Sequence, residues 1–309
     1  MKRRFTIQFG IIAVSVLILS SGYYHMICEG LRRAKRDAVG KFNYLIHDTT
    51  YYNSVFIGSS TMHVDINPLQ FDSVTGLYSL NGGMDGMGIA EVHMVVRKFI
   101  ECHGAPRHLF LNIDELTLTM KSPIWYFPQY YPFIGDRDMN EIIAQEPKLL
   151  LGRYFPPAAV IYFDDPLKNL ALIGLLRESK ETHYDIPLRG FAPKTIRKVD
   201  QDFPKSELSF IGSERGWQLL EEIIVLTEQK DISVSILLLP QFNSYLSDSS
   251  HLFLTMLNSL EDEYGVKIFN YTTDQRFQSK DLYFDRAHLN EMGAYLLTSV
   301  FAKEFSMRK

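Results

Sequence analysis

A short apolar run, Val55–Ile57, stops abruptly at Gly58, Ser59 and Ser60. Such a run, ending at a glycine, is typical of a buried strand, and here the strand delivers two hydroxyl groups at its carboxyl end. In open α/β sheets ligands bind outside the carboxyl ends of the strands, so a reacting group is expected at this tip. A serine becomes a good nucleophile only when a base takes its proton. The stretch therefore predicts an α/β sheet and a partner histidine elsewhere in the chain.

A histidine with a nearby carboxylate occurs close to the end of the chain. Asp285 and His288 precede an apolar helical pattern, about 230 residues after Ser60. In a serine–histidine–aspartate triad the histidine takes the serine proton, and the carboxylate orients the imidazole and stabilises its charged form. Ser60, His288 and Asp285 are thus the candidate nucleophile, base and orienting carboxylate.

These two motifs resemble those of the GDSL/SGNH hydrolase superfamily, which carries Gly-Asp-Ser on its first strand and closes with Asp-x-x-His. Here Ser60 takes the place of the nucleophile, Ser59 replaces the usual aspartate, and the last motif is intact. The resemblance covers about residues 50–118 and 216–305. It implies a flavodoxin-like α/β fold and a serine ester hydrolase that uses no cofactor.

The two middle blocks of the family match less completely. Asn81–Gly86 fits the second block, Asn-x-Gly-x-x-Gly, and the resemblance makes Gly86 a backbone donor to the oxyanion. The third block, Gly-x-Asn-Asp, is replaced by Leu109–Glu115. Asp114 aligns best with the family's oxyanion asparagine, but an ionised carboxylate would repel the charge that develops on the substrate. Asn112 is therefore the expected amide donor, and the choice between Asn112 and Asp114 stays open.

Two neighbouring residues compete for the catalytic roles. The family alignment argues against Ser59 as the nucleophile, and strand alternation points its side chain away from that of Ser60. His63 is close to Ser60 in sequence, but no adjacent carboxylate is placed to hold its tautomer, which favours a surface or lid role. The remaining histidines show no paired zinc-ligand spacing, so no metal site is expected.

The N-terminal segment is apolar from about Phe5 to Cys28 and follows three basic residues at positions 2–4. Its length fits one membrane span. A cleaved signal peptide, with small residues at 20–22, is the alternative. We prefer an uncleaved anchor with its N-terminus inside, because the basic residues lie directly against the apolar core. The globular part would then lie outside the cytoplasm, on the periplasmic or cell-surface side.

The rest of the chain alternates strand and helix patterns, which predicts a doubly wound, mainly parallel sheet of five strands. A linker at 29–50 leads into a hydrolase-like domain at 51–309, and an aromatic-rich insertion at 119–215 either covers the site or caps the sheet edge. The predicted strands are Val55–Ile57, Leu77–Leu80, His108–Ile113, Ile232–Leu239 and Val266–Tyr271, and the predicted helices are Gly88–His103, Pro166–Glu178, Gly216–Lys230, Ser249–Tyr264 and Leu289–Phe305.

Three functions fit this sequence, whose net charge of −4 gives no basic surface for nucleic acid. With water as the acceptor, the chain is an esterase that acts on acyl esters, such as acetyl esters, of a glycan or on a small ester. With a sugar hydroxyl as the acceptor, it is an O-acyltransferase for cell-envelope polysaccharide. Because the first and third blocks are altered, a catalytically silent glycan-binding or assembly protein is the third possibility. We prefer the esterase, held to the membrane by its N-terminal helix.

Overall fold

The computed structural model describes residues 2–120, 124–176, 188–195, 205–210 and 212–308. Contacts within the chain divide it into two compact units. The anchor unit contains residues 1–44 and 122–183, and the sheet unit contains residues 45–121 and 184–309.

Strands and helices alternate along the sheet unit, as the sequence pattern predicts. The strands of the described residues are β1 (Ser54–Ile57), β2 (Ser79–Asn81), β3 (His108–Asn112), β4 (Ser206–Leu208), β5 (Ser233–Leu238), β6 (Ser244–Leu246) and β7 (Lys267–Asn270). The helices are α1 (Lys2–Arg32), α2 (Asp37–His47), α3 (Ser60–Asp65), α4 (Pro68–Thr75), α5 (Ile89–His103), α6 (Asn140–Gln145), α7 (Leu150–Tyr154), α8 (Pro156–Ala159), α9 (Asp165–Leu176), α10 (Glu214–Glu228), α11 (Asp248–Tyr264) and α12 (Glu291–Met307).

Five strands form one parallel sheet in the order β2-β1-β3-β5-β7. This confirms the predicted fold class, since all five predicted strands are present and every neighbouring pair is parallel. The strand order reverses between β1 and β3, so the carboxyl ends of these two strands form the switch point where ligands bind in such sheets. β4 and β6 form a separate parallel pair that the sequence analysis does not predict.

Aromatic side chains fill the core on one face of this sheet. Phe56 of β1 and Phe110 of β3 stack with their ring centroids 4.5 Å apart. Phe71 of α4 and Phe301 of α12 pack against them, and all four side chains are fully buried. On the other face, Phe99 of α5 packs near the remaining β1 and β3 side chains. Helices therefore cover both faces, which explains why the strands read as continuous apolar runs.

Asparagine side chains cap the N-termini of α4 and α12. Asn67 begins α4 and Asn290 begins α12, each by accepting two backbone N–H hydrogen bonds of 3.0 to 3.3 Å. A cap of this kind stabilises a helix by about 1 kcal/mol. The cap at Asn290 ends the loop that carries Asp285 and His288, so it helps to fix where that loop lies.

The anchor unit begins with α1, whose two halves differ in exposure. The first half carries exposed apolar side chains such as Phe5, Phe9 and Ile12, whereas Tyr24 and Leu31 in the second half are buried. Among the described residues, one helix, Arg4–Arg32, is long and apolar enough to span a membrane, with a mean hydropathy of 1.9. The exposed half of about 19 residues would extend for about 28 Å, close to the thickness of a bilayer core.

The second half of α1 packs closely against α9 through two glycines. A Cβ on Gly30 would lie 2.2 Å from the carbonyl oxygen of Ala171, and a Cβ on Gly174 would lie 2.1 Å from that of Gly30. Any larger residue at either position would force the two helices apart. The anchor unit is thus held together by the same helix that carries the exposed apolar segment.

The predicted boundary between an N-terminal segment at 1–28 and a linker at 29–50 is therefore wrong. Residues 29–50 are not a linker, because they contain the end of α1 and the whole of α2. Val39 and Phe42 of α2 are buried, and Phe42 makes edge contacts with Tyr130 and Phe133. The described part of the predicted insertion contains helices and turns, but it also contains strand β4, and it is divided between the two units. The predicted helix Pro166–Glu178 corresponds to α9, and its last two residues lie outside the described part of the chain.

Candidate active site

Ser60 lies at the turn from β1 into α3, at the carboxyl edge of the sheet. β1 ends at Ile57, Ser59 precedes the helix in an extended conformation, and Ser60 is the first residue of α3. The Ser60 side chain hydrogen-bonds to Nε2 of His288, with 2.8 Å between Oγ and Nε2. The structure thus brings together two residues that are 228 positions apart in the sequence.

A tight loop holds Asp285 against His288. Asp285 Oδ1 accepts the backbone N–H groups of Ala287 and His288, both at 2.9 Å. Both carboxylate oxygens lie 2.9 Å from Nδ1 of His288. With the Nδ1 proton directed at Asp285, Nε2 is free to accept the Ser60 hydroxyl. Asp285, His288 and Ser60 therefore form the continuous hydrogen-bonded chain of a serine triad.

The electrostatic environment of the triad favours the charged form of the imidazole. Burial alone lowers the pKa of His288, but the hydrogen bond to Asp285 and the nearby carboxylates outweigh burial, and the pKa is raised above its ordinary value of 6.5. Burial alone would raise the pKa of Asp285, but its hydrogen bonds with His288 and Ala287 lower it. Asp285 is accordingly ionised and His288 is a stronger base than a free imidazole.

A second carboxyl group, on Asp65, lies behind the triad and was missed by the sequence analysis. Asp65 is the last residue of α3 and is completely buried. Its Oδ1 accepts the backbone N–H of Leu289 at 2.9 Å, which ties the end of α3 to the residue after His288. Burial raises the pKa of Asp65 to about 8, although the His288 charge and the Leu289 N–H oppose this. The sequence signal was an aspartate inside an apolar run, five positions after Ser60.

The second block is fixed against α3 by Asn81. Its side-chain amide donates to the carbonyl oxygens of Met62 and Ile66, both at 2.7 Å, and its Oδ1 accepts the N–H of Gly83 at 2.9 Å. Gly86 follows in an exposed turn with a φ of +69°, a conformation that favours glycine. The block therefore lies beside the nucleophile helix, as its resemblance to the family implies.

Asn112 lies at the carboxyl end of β3, where its side chain is almost completely buried. Its Oδ1 accepts the hydroxyl groups of Ser59 at 3.1 Å and Thr61 at 2.9 Å. Its Nδ2 donates one hydrogen bond, to the carbonyl oxygen of Leu237 on β5 at 3.3 Å. Asn112 therefore connects β3 with β5 and with the residues that flank Ser60. The amide has a second N–H, and the expected role of Asn112 as an oxyanion donor stays a prediction.

Asp114 closes the loop that follows β3. Its Oδ1 accepts the backbone N–H groups of Leu116 and Thr117, each at 3.0 Å, and the Thr117 hydroxyl at 2.8 Å. The carboxylate therefore makes these hydrogen bonds within its own loop. The sequence analysis requires an Asp114 that is turned away or protonated in an active enzyme, and this stays a prediction.

The expectation for His63 is wrong in one respect. His63 is buried, and its Nδ1 lies 3.4 Å from Oδ1 of Asp85, so a carboxylate is present. The partner comes from the second block and not from the residues next to His63, which is why the local sequence gave no sign of it. The hydrogen bond from His63 is the main cause of a lowered pKa of Asp85. His63 thus anchors the glycine-rich block against α3.

The segment Leu188–Thr195, here called the strap, crosses the same region and was not identified from the sequence. The carbonyl oxygen of Arg189 accepts the N–H of Asn81 at 2.8 Å, and the N–H of Ala192 donates to the carbonyl oxygen of His63 at 3.1 Å. The carbonyl oxygen of Lys194 accepts the N–H of Glu291 at 3.0 Å. The Arg189 side chain pairs with Asp72. The strap is therefore attached to both the second block and the start of α12.

Comparison with known proteins gives structural likenesses only. No family model matches the sequence, and no curated protein matches it. A G-D-S-L family lipolytic protein from Desulfitobacterium hafniense DCB-2 is 8% identical with a TM-score of 0.42, over 81% of this chain and 98% of that one. A protein described as an acylhydrolase from Bacteroides fragilis NCTC 9343 is 10% identical with a TM-score of 0.40, over 85% of this chain and 91% of that one.

The strand order of the parallel sheet, and the serine at the β1 tip with Asp-x-x-His in the final loop, agree with the fold that the sequence resemblance to the GDSL/SGNH hydrolases implies. Among the described residues, no group of three or more His, Cys, Asp or Glu side chains is arranged to hold a metal ion. The reactive groups found at the switch point are those of the triad.

Proposed function

We propose that the chain is a serine ester hydrolase of the SGNH type that acts outside the cytoplasm on acyl esters, such as acetyl esters, of a glycan. The observation that carries this proposal is the hydrogen-bonded chain from Asp285 through His288 to Ser60, with distances of 2.9 and 2.8 Å. A silent binding protein has no need for such an arrangement.

In the proposed reaction His288 Nε2 takes the proton of Ser60 as Oγ attacks the ester carbonyl carbon. Asp285 orients the imidazole and stabilises the imidazolium that forms. The tetrahedral intermediate collapses when the C–O bond to the alcohol breaks and the imidazolium gives its proton to the leaving oxygen. Water then loses a proton to His288 and attacks the acyl-enzyme carbonyl carbon. The bond to Ser60 Oγ breaks, the imidazolium returns its proton to that oxygen, and the acid is released.

The negative oxygen of the tetrahedral intermediate needs hydrogen-bond donors. We assign this role to the backbone N–H groups of Ser60 and Gly86, while one N–H of the Asn112 amide is bonded to Leu237. Ser60 opens α3, so its N–H belongs to the first turn, where helix N–H groups have no partner within the helix.

Exposure of the triad supports hydrolysis over transfer. The side chains of His288 and Asp285 are 22% and 44% exposed, so water reaches both groups. The exposed apolar half of α1, which follows basic residues, supports a membrane anchor with the remainder of the chain outside the cytoplasm.

The substrate class is tested with full-length protein in an uncharged detergent. O-acetylated polysaccharide is the substrate, and released acetate is measured. We expect release by the wild type and none by Ser60→Ala. If phenyl acetate is hydrolysed but no acetate leaves the polysaccharide, the esterase assignment holds and the glycan assignment is wrong. If acetate moves to an added sugar acceptor faster than to water, the chain is an O-acyltransferase.

A further inference from the structure

We propose that Lys194 of the strap binds an anionic group, a carboxylate or a phosphate, on the alcohol part of the ester. This proposal rests on the proposed function, because it assigns a specificity residue to the same site. The carboxylate or phosphate is recognised by its charge, and the experiment below distinguishes the two.

The first support is the position of Lys194. Its backbone carbonyl oxygen accepts the N–H of Glu291 at 3.0 Å, at the start of α12. Its ammonium group lies over the ring of Phe284, 5.6 Å from the centroid. Phe284 immediately precedes Asp285, and its N–H donates to the carbonyl oxygen of His288 at 2.9 Å. The cation is thus held beside the loop that carries the catalytic base.

The second support is the charge balance around the triad. Both carboxylates that face the site have a histidine partner, since Asp285 bonds His288 and Asp85 lies against His63. The ammonium of Lys194 forms no ion pair with any residue that the structure describes. Lys194 is half-buried, so its charge is partly shielded from water and acts on nearby groups. It lowers the pKa of Asp85, after the larger effect of the His63 hydrogen bond.

The third support is the rigidity of the strap. A Cβ on Gly190 would lie 1.9 Å from the carbonyl oxygen of Asn81, and the φ of Gly190 is +84°. Arg189 stacks over the ring of Tyr78 at 4.2 Å, and Phe191 is buried. The strap therefore holds Lys194 in place with few degrees of freedom, which favours a defined binding contact over a mobile surface charge.

The mechanism decides which part of the ester meets Lys194. His288 donates its proton to the leaving oxygen, so the alcohol part of the ester lies on the His288 side of the carbonyl carbon. Lys194 lies over the ring of Phe284, the residue before Asp285, and we assign it to that same side. The acyl group then extends away from the lysine, and the proposed anionic group belongs to the alcohol.

The test compares phenyl acetate with 4-acetoxybenzoate and 4-acetoxyphenyl phosphate, using full-length protein in an uncharged detergent. Selectivity is the kcat/KM for an anionic ester divided by that for phenyl acetate. We expect the wild type to favour at least one anionic ester. We expect Lys194→Ala to lower this selectivity roughly 10- to 100-fold, mainly through KM, as for one lost hydrogen bond to a charged group. Lys194→Arg should retain most of it, and the anionic ester with the larger loss identifies the group.

The control is Lys230→Ala, which removes one positive charge next to the start of β5, at the opposite edge of the sheet. It should leave the selectivity unchanged. Equal selectivity in Lys194→Ala and the wild type, or a wild type that favours the neutral ester, would overturn the proposal.

Binding separates this inference from the proposed function. If no ester is hydrolysed, the proposed function fails, and calorimetry on Ser60→Ala still tests Lys194. In that variant, 4-acetoxybenzoate or 4-acetoxyphenyl phosphate should bind about 10- to 100-fold more weakly once Lys194→Ala is added. Equal binding of both anionic esters with and without Lys194 would show that the lysine has no such role.

Discussion

At the scale of single residues, the protonation of His288 controls the proposed reaction. The hydrogen bond that His288 donates to Asp285, with the charges of the nearby carboxylates, outweighs burial and raises the pKa of His288, while the reaction needs the neutral imidazole. We therefore expect kcat/KM for phenyl acetate to be low in acid and to rise through an inflection above the ordinary histidine value of 6.5.

Asp285→Asn tests the cause of this shift. The variant removes the negative charge that stabilises the imidazolium, so the inflection should move to lower pH and the plateau should fall because the tautomer is no longer held. A pH–rate profile of both proteins measures this. An inflection that stays in place would show that Asp285 does not set the pKa of His288.

Asn112 has contacts in the core besides its predicted oxyanion role. Asn112→Ala removes the acceptor of Ser59 and Thr61 and the donor to Leu237, all in a buried position. We expect a loss of about 2–4 kcal/mol in the free energy of unfolding, from the lost hydrogen bonds and the cavity. Thr61→Val, which removes only one of these bonds, should lose less.

Chemical denaturation measures the free energy of unfolding of Asn112→Ala and of Thr61→Val. If Asn112→Ala keeps wild-type stability but loses about 100- to 1,000-fold in kcat, the result would support the oxyanion role predicted from the sequence.

At the scale of elements, α3 joins the nucleophile to the loop that carries the base. Ser60 begins this helix and Asp65 ends it, and Asp65 bonds the N–H next to His288. The pKa of Asp65 is about 8 in the folded chain against an ordinary value of 3.8, so the folded state holds a proton that the unfolded state has lost between these pH values. By linkage, this group makes the folded chain less stable as pH rises from about 4 to 8.

Asp65→Asn tests this linkage while keeping an oxygen acceptor for the Leu289 N–H. The amide does not titrate, so the difference in unfolding free energy between the variant and the wild type should increase in favour of the variant as pH rises from about 4 to 8. Denaturant titrations across that range give the difference. A constant difference would mean that Asp65 ionises normally in the folded chain.

The elements also show which features a sequence reveals. β1, β3 and β5 are covered on both faces, so each reads as an apolar run in the sequence. The helix α3 has only six residues and shows no apolar period that could identify it.

The sequence does not reveal the contacts that complete the site, and the physical reason is different. Asp65 hydrogen-bonds to Leu289, which is 224 positions away in the sequence. The strap contacts His63 and Glu291 through backbone hydrogen bonds, which do not depend on residue type and so cannot be predicted from it. Ser60 and His288 were linked in the sequence by the logic of a serine triad and by the family resemblance. No comparable motif points to Lys194.

At the scale of the whole molecule, the two halves of the apolar helix α1 differ in their surroundings. The first half of α1 is exposed, and the second half is part of the anchor-unit core. The sequence predicts the span because hydropathy is a local property. It does not show where the span ends and the core begins, since both halves of α1 are apolar.

Two truncations locate this border. Removal of residues 1–20 should release the chain from membranes and leave its thermal unfolding nearly unchanged. Removal of residues 1–32 also deletes the buried Tyr24, Ile27 and Leu31, and each large buried side chain contributes about 2–5 kcal/mol. This form should unfold at a much lower temperature.

Fractionation and thermal unfolding distinguish the outcomes. Equal stability of the two truncated forms would show that the second half of α1 is not needed. Recovery of the full-length chain in the soluble fraction, with a new N-terminus near Gly22, would show a cleaved signal peptide.

The most direct test of the triad is labelling with an active-serine phosphonate, combined with phenyl acetate turnover, on full-length wild type, Ser60→Ala, His288→Ala and the double variant. We predict one label, located at Ser60 by peptide mass spectrometry, and no turnover in either single variant despite a wild-type circular dichroism spectrum. The double variant should be no worse than either single one, because nucleophile and base act as a unit. A label on Ser59, or Ser60→Ala with most of its activity, would contradict the assignment of the nucleophile.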